Sequence, residues 1–256
     1  MLAVRVPGSP CTIDSADTLD YCVMQAGSIS PVAAGAQRLG AQVYELLKQR
    51  LLDGQWAAGE SIPVEALKRE FGVSKQPIME ALRRLASDDL VEIIPQVGSR
   101  VPVFTPREIS DFFLLFASLE AEAAAIATTR GTAAQIQALE EINARIGAAL
   151  VLDADARALA YREYNREFHQ AILEMSSSAV VQRTSRRMWD MSDLLITTTF
   201  DGVRALADEV CDRHADHNDL IEGFRRRDDA AVRTIMRHHL LRNVPMLAGL
   251  PGDEGR

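Results

Sequence analysis

The sequence predicts a mainly α protein, an N-terminal winged helix-turn-helix followed by an all-α six-helix antiparallel bundle. Three observations predict it. Between Val64 and Val103 the chain orders a short helix, a glycine turn, a capped second helix and a Gly-bearing strand pair. After Thr105-Pro106, apolar residues recur at helical spacing to about Leu250, with short connections. The length of 256 residues, 47% of them hydrophobic, suffices for two parts that each bury a core.

The elements follow in chain order. Residues 1–35 mix Pro, Gly, Ser and Asp without a steady period and read as a poorly ordered extension, and 251–256 as a tail. The first domain spans 36–104. Its first helix, Ala36 to about Asp53, puts Leu39, Val43, Leu46, Leu47 and Leu51 on one face and stops at Gly54. The turn WAAGESIP brings Pro63 to the first position of the second helix, where a missing N–H costs nothing. That helix buries Ala66, Leu67 and Phe71 and ends at Gly72. Ser74 caps the third, which runs to about Asp88, turns Ile78, Ala81, Leu82 and Leu85 inward and tolerates Pro77 in its first turn. Val91 to Ile94 and Arg100 to Val103 then read as strands, with residues 95–99 as the tip.

This order offers one helix to the major groove of DNA. The third helix leaves Lys75, Gln76, Met79, Arg83 and Arg84 facing out beside the capping Ser74, and cationic and amide groups there suit base edges and phosphate. An ordinary solvated face has the same composition; its setting between turn and wing selects the DNA reading. In the wing, Gln96, Gly98 and Ser99 form the tip, Gly98 permits positive φ or close approach, and Arg100 can enter a minor groove or meet phosphate. The net charge of −8 alone argues against nucleic acid, but it divides as −2 over 1–35, 0 over 36–104 and −6 over 105–256. Attraction to phosphate must come from a local face.

The second domain spans 105–250. Its first helix carries Ile109, Phe112, Phe113, Phe116, Leu119, Ala123 and Ile126; its second Ile136, Leu139, Ile142, Ile146 and Leu150. The third covers about Ala154 to Met175 and the fourth about Ala179 to Phe200. A fifth carries Val210, Leu220, Ile221 and Phe224, and a sixth, from about Asp229, carries Val232, Ile235, Met236, Leu240 and Met246. All five histidines lie here. His169 stands one turn after Asn165 on an inward face with Tyr161 and Ile172. His217 and His239 fall on the inward stripes of the last two helices, with His214 close enough to compete with His217. A single inward histidine is ordinarily a hydrogen-bonded core residue. Three from separate helices, with a nearby amide oxygen, suit a divalent transition metal.

Three cysteines, at 11, 22 and 211, fit a reducing cytosol without a disulfide framework. No uninterrupted apolar run approaches the ~18 residues of a membrane helix, and the N-terminus lacks a secretory pattern. A cytoplasmic protein without a membrane partner is expected. An enzyme that activates water on the metal is the second class, but no carboxylate is placed as a general base near His169; Glu167 and Glu174 point elsewhere.

The stretch GESIPVEALKREFGVSKQPIMEALRRLASDDLVEIIPQVGSRV resembles the DNA-binding domain of the GntR family of bacterial transcription regulators, and the resemblance covers about Val43 to Val103. It implies a homodimer on palindromic operator DNA. The family usually has Arg where Lys75 and Met79 stand, and a basic residue where Val97 precedes the wing glycine. Replacing a bidentate guanidinium by a thioether removes a guanine reader worth ~1–3 kcal/mol, so a different operator is implied. YNREFHQAI, DHNDLIEGFRRRD and MRHHL make the second half resemble the FCD ligand-binding domain of the FadR subfamily. That resemblance implies a divalent metal, zinc ahead of nickel or manganese, on His169, His217 and His239, with Asn165 where Asp is usual. It implies a small organic acid as effector, near Tyr161 and Phe116. Phe116 stands where the family places a carboxylate-clamping Arg, so the metal alone is expected to hold a more apolar effector. A purely structural metal is the remaining alternative.

Overall fold

The computed structural model describes the backbone of residues 36–199 and 202–247 and the side chains of 39–199 and 206–245. The extension expected over 1–35, Cys11, Cys22, the side chain of Met246 and the tail 251–256 lie outside the described residues.

The front unit comprises α1 (Ala36–Leu52), α2 (Val64–Phe71), α3 (Lys75–Ser87), β1 (Glu92–Ile94) and β2 (Gly98–Arg100). α2 stops because Gly72 adopts φ 64, ψ 30 and returns its N–H to Lys68 O, the left-handed cap that glycine takes without strain. Ser74 holds the N-cap of α3 in extended backbone, but its hydroxyl makes no capping bond. Pro63 is the N-cap of α2 rather than its first helical residue, since its carbonyl accepts the opening bonds from Ala66 and Leu67, both at 3.0 Å. The second strand also departs from expectation, starting two residues early and ending at Arg100. Gln96 takes φ 63 and Val97 N donates to Ile94 O at 3.1 Å, which pairs Ile94 with Gly98 and narrows the tip to residues 95–97. On its other edge β2 has a second partner. Ile62 N donates to Ser99 O at 2.8 Å and Val101 N to Glu60 O at 3.0 Å, so the segment expected as a plain turn lies along β2.

The second unit comprises α4 (Pro106–Arg130), α5 (Ala133–Ala149), α6 (Ala154–Met175), α7 (Ala179–Thr198), α8 (Gly202–Arg226), α9 (Asp229–Leu241) and α10 (Asn243–Leu247). Side-chain caps start most of them: Thr105 with Glu108, Thr132 with Gln135, then Asp153, Ser178 and Asp228. The expected sixth helix is interrupted at Arg242, giving a short seventh. There Asn243 turns its amide back to Leu240 O at 3.1 Å. α4 has the length and apolarity of a membrane span, but Glu120 and Glu122 interrupt it. Ile109, Phe113, Phe116 and Ala124 on it are buried in the bundle core against α9, α6 and α7.

The two units share a seam. Leu194 of α7 is fully buried within the front core, among Val43, Leu47 and Leu82, and Met191 packs beside it. Charges reinforce the contact: Lys48 Nζ lies 2.5 Å from Asp190, Arg187 2.8 Å from Asp88, and Arg162 donates to Leu52 O at 2.6 Å. α7 is therefore common to both cores.

Candidate functional site

His169 on α6, His217 on α8 and His239 on α9 meet inside the bundle, each no more than 1% exposed. One ring nitrogen from each lies within 4.8 Å of the others, and the Nε2 atoms of His169 and His239 are 3.2 Å apart. Their environment fixes the tautomers. His239 Nδ1 faces Asp216 Oδ2 at 3.2 Å and His217 Nδ1 faces Asn143 Oδ1 at 3.2 Å. Both oxygens accept, so each Nδ1 carries the proton and each Nε2 presents a lone pair. Phe168 stacks on His217 at 4.0 Å between centroids, and Trp189 lies 4.5 Å from His169.

Burial pushes His169 and His217 well below the ordinary imidazole value, with neighbouring histidines and Arg213 adding to it. His239 is also lowered by burial, partly offset by Asp216. All three are then neutral at pH 7, the form that ligates a metal. His169 Nδ1 and His217 Nε2 are buried without a hydrogen-bond partner, and such a nitrogen costs ~1–3 kcal/mol if left so. Three neutral imidazoles, two of them with an unpartnered ring nitrogen, fit a divalent cation of the zinc type.

The neighbours sort themselves around this centre. His214, the competitor, is half-buried outside the trio and bonds Asn143 Oδ1 at 2.9 Å; His238 is exposed. Asn165 Oδ1 accepts the Tyr161 hydroxyl at 2.8 Å. Asn165 and Tyr161 line a cavity of about 20 Å³ together with Trp189, Arg213, His239 and Asn243. Phe116 does not line it; it is fully buried behind Trp189, edge to face at 5.0 Å. Sequence reasoning missed Asn143, Asp216 and Arg213. The signal for Arg213 was present, since it stands one helical turn before His217 on the same face.

At the front unit, Ser74, Lys75, Gln76 and Arg83 are exposed and Met79 is half-buried against the core. Successive helical residues turn by about 100°, so Lys75, Gln76, Met79 and Arg83 share one face while Arg84 points away from it. Arg84 lies over the Tyr44 ring at 4.1 Å instead. In the wing, Gln96 at the tip and Gly98 at the start of β2 are exposed. Ser99 is turned inward with its hydroxyl buried, against the expectation that it faces out, because β2 pairs on both sides there. Arg100 is held to Glu92 at 2.8 Å.

Residues 39–101 match the gntR family of bacterial regulatory proteins, and residues 111–242, more than half of the chain, match the FCD domain. The chain is a GntR-family regulator with an FCD domain. Among similar proteins, the HTH-type transcriptional repressor GlaR of Escherichia coli K12 is 26% identical over 216 residues, 80% of this chain and 93% of GlaR. The repressor RspR of the same organism is 24% identical over 204 residues, 80% of this chain and 86% of RspR. Among solved structures, E. coli McbR/YncC superposes with a TM-score of 0.71 at 22% identity, covering 82% of this chain and 96% of that one. A GntR protein of Rhodococcus sp. RHA1 gives 0.66 at 17% identity, covering 83% and 98%. These two share the fold. As a GntR-family member the protein is a DNA-binding transcriptional regulator.

Proposed function

We propose that this GntR regulator is a cytoplasmic, homodimeric repressor of the FadR type that leaves a palindromic operator when a small carboxylate reaches a metal centre in its bundle. The observation that carries the reading is three buried, neutral imidazoles converging behind a winged module in one chain. Residues 36–104 form the DNA module and 105–250 the sensor. Ser74, Lys75, Gln76, Met79 and Arg83 face the major groove, and Gln96 at the wing tip and Gly98 beside it meet the flanking backbone. Two modules related by a two-fold axis would read half-sites about one helical turn apart.

In the sensor, His169, His217 and His239 hold the cation, zinc ahead of nickel or manganese, with Asn165 offering its amide oxygen. When bound, the ion supplies positive charge and open coordination positions for an anion. Asp216 and Asn143 orient two of the rings, and Phe168 and Trp189 exclude water. A hydrolytic role has less support: Glu167 is paired with Arg145 at 2.5 Å and Glu174 accepts from Gln170 at 3.1 Å, and both are exposed.

The test combines gel shifts with metal analysis. The full chain should retard DNA from upstream of its own gene at low salt, carry zinc, and release the DNA on adding a small acid. His217→Ala should lose zinc and keep the shift but no longer release. No shift at low salt ends the regulator reading; equal release by metal-free and metal-loaded protein ends the sensing role of the metal.

A further inference from the structure

Arg213 is a buried cation on the wall of the cavity beside His239, ion-paired with Glu209. It is 2% exposed, and its Nε is buried without a hydrogen-bond partner. Nη2 donates to Glu209 Oε2 and to Asn243 Oδ1, both at 3.0 Å, and the guanidinium also hydrogen-bonds the Tyr161 hydroxyl, which leaves Nε as the unused donor. It lines the cavity that His239, Asn165 and Tyr161 also line. A buried guanidinium with an unused donor beside a cation site is a waiting anion partner.

We propose that Arg213 on α8 anchors the effector's carboxylate, so that the acid is held between guanidinium and metal rather than by metal alone. This rests on reading the three imidazoles as a cation site. The cavity, at about 20 Å³, has room for little more than one water-sized group, so only the carboxylate head fits without movement. The rest of the ligand must displace neighbours; Asp193 on the wall is already paired with Arg166, which leaves Ile196, Leu206 and Leu240 as the apolar part of the lining that can give way. The ligand class is therefore a small monocarboxylate with an apolar body.

The test is calorimetric titration of the zinc-loaded full chain with butyrate and benzoate, and with butyramide and benzamide as neutral isosteres. An acid should bind and its amide should bind at least tenfold more weakly, because a hydrogen bond to a charged group is worth ~1.5–3 kcal/mol. Arg213→Gln should lose about ten- to a hundredfold in acid affinity while zinc affinity, from competition with a chromophoric chelator, stays within about twofold. Arg213→Lys, which keeps the charge but not the planar fork, should recover part of the loss. Acid binding unchanged in Arg213→Gln, amides bound as well as acids, or no acid bound by zinc-loaded protein overturns the proposal. The acid–amide contrast needs no variant, so it decides even if Arg213→Gln does not fold. Failure to take up zinc is a separate outcome that ends the metal reading itself, and operator binding is untouched by either result.

Discussion

Glu120 is 2% exposed in the bundle core and accepts hydrogen bonds from Ser185 Oγ and, at 3.1 Å, from Trp189 Nε1. Burial pushes its carboxyl up to about 7 against the downward pull of those bonds and of Arg166. A folded value above the unfolded one means the folded state keeps a proton that the unfolded chain has lost. The stabilisation is full below about pH 4.5 and disappears as pH rises to about 7, a swing on the order of 3 kcal/mol. The three imidazoles work in the opposite direction: their lowered values protect the fold above about pH 6.5 and the protection is lost on acidification. The difference between wild type and Glu120→Gln isolates the carboxyl. Urea midpoints from pH 4.5 to 7.5 should show the wild-type advantage shrinking with pH, and a pH-independent difference would refute the assignment. This residue was illegible in the sequence because its partners stand 65 and 69 positions away. The histidines were legible because each falls on an apolar stripe of its own helix.

At the scale of elements, helix starts were readable wherever a short polar side chain precedes an apolar period, as at Thr105, Asp153 and Asp228. The wing was misjudged because its register depends on residues 59–62, which pair with β2 from outside the hairpin. The interruption of the last helix at Arg242 likewise depends on Asn243, whose Oδ1 is held by Arg213 thirty residues earlier. Two glycines distinguish local from tertiary constraint. Gly72 has φ 64 with open space where a Cβ would stand, so Gly72→Ala should cost only the left-handed strain, about 1–2 kcal/mol. Gly54 has φ 76 and a Cβ there would meet Thr197 of α7 at 3.2 Å. Gly54→Ala should therefore cost more and also disturb the seam. Denaturant unfolding of the two variants checks the order, and equal losses would mean the Thr197 contact yields freely.

For the whole molecule, the question is how a site inside the bundle reaches the DNA module. Asp190 on α7 accepts Lys48 of α1 on one side and Arg166 of α6 on the other, both at 2.5 Å. Arg166 also pairs with Asp193 and stands between Asn165 and, three residues on, His169. Trp189, the neighbour of Asp190, lies against His169. A shift of α6 on ligand binding would thus act on the carboxylate that holds α1, and α1 packs on α3. Coupling of this kind is a free energy between the two sites, read as the change in operator affinity that the acid causes. Asp190→Asn removes the shared charge and leaves Lys48 facing Arg166. Zinc uptake should stay as in wild type, and operator affinity without acid should change only a few-fold. The acid-induced weakening of operator binding, which for such couplings spans about 5- to 150-fold, should shrink several-fold. Arg145→Ala, which breaks the exposed Arg145–Glu167 pair away from the seam, should leave it intact. Gel-shift titrations with and without butyrate on all three proteins measure this directly. If Asp190→Asn responds to the acid as fully as wild type, the signal does not pass through α7.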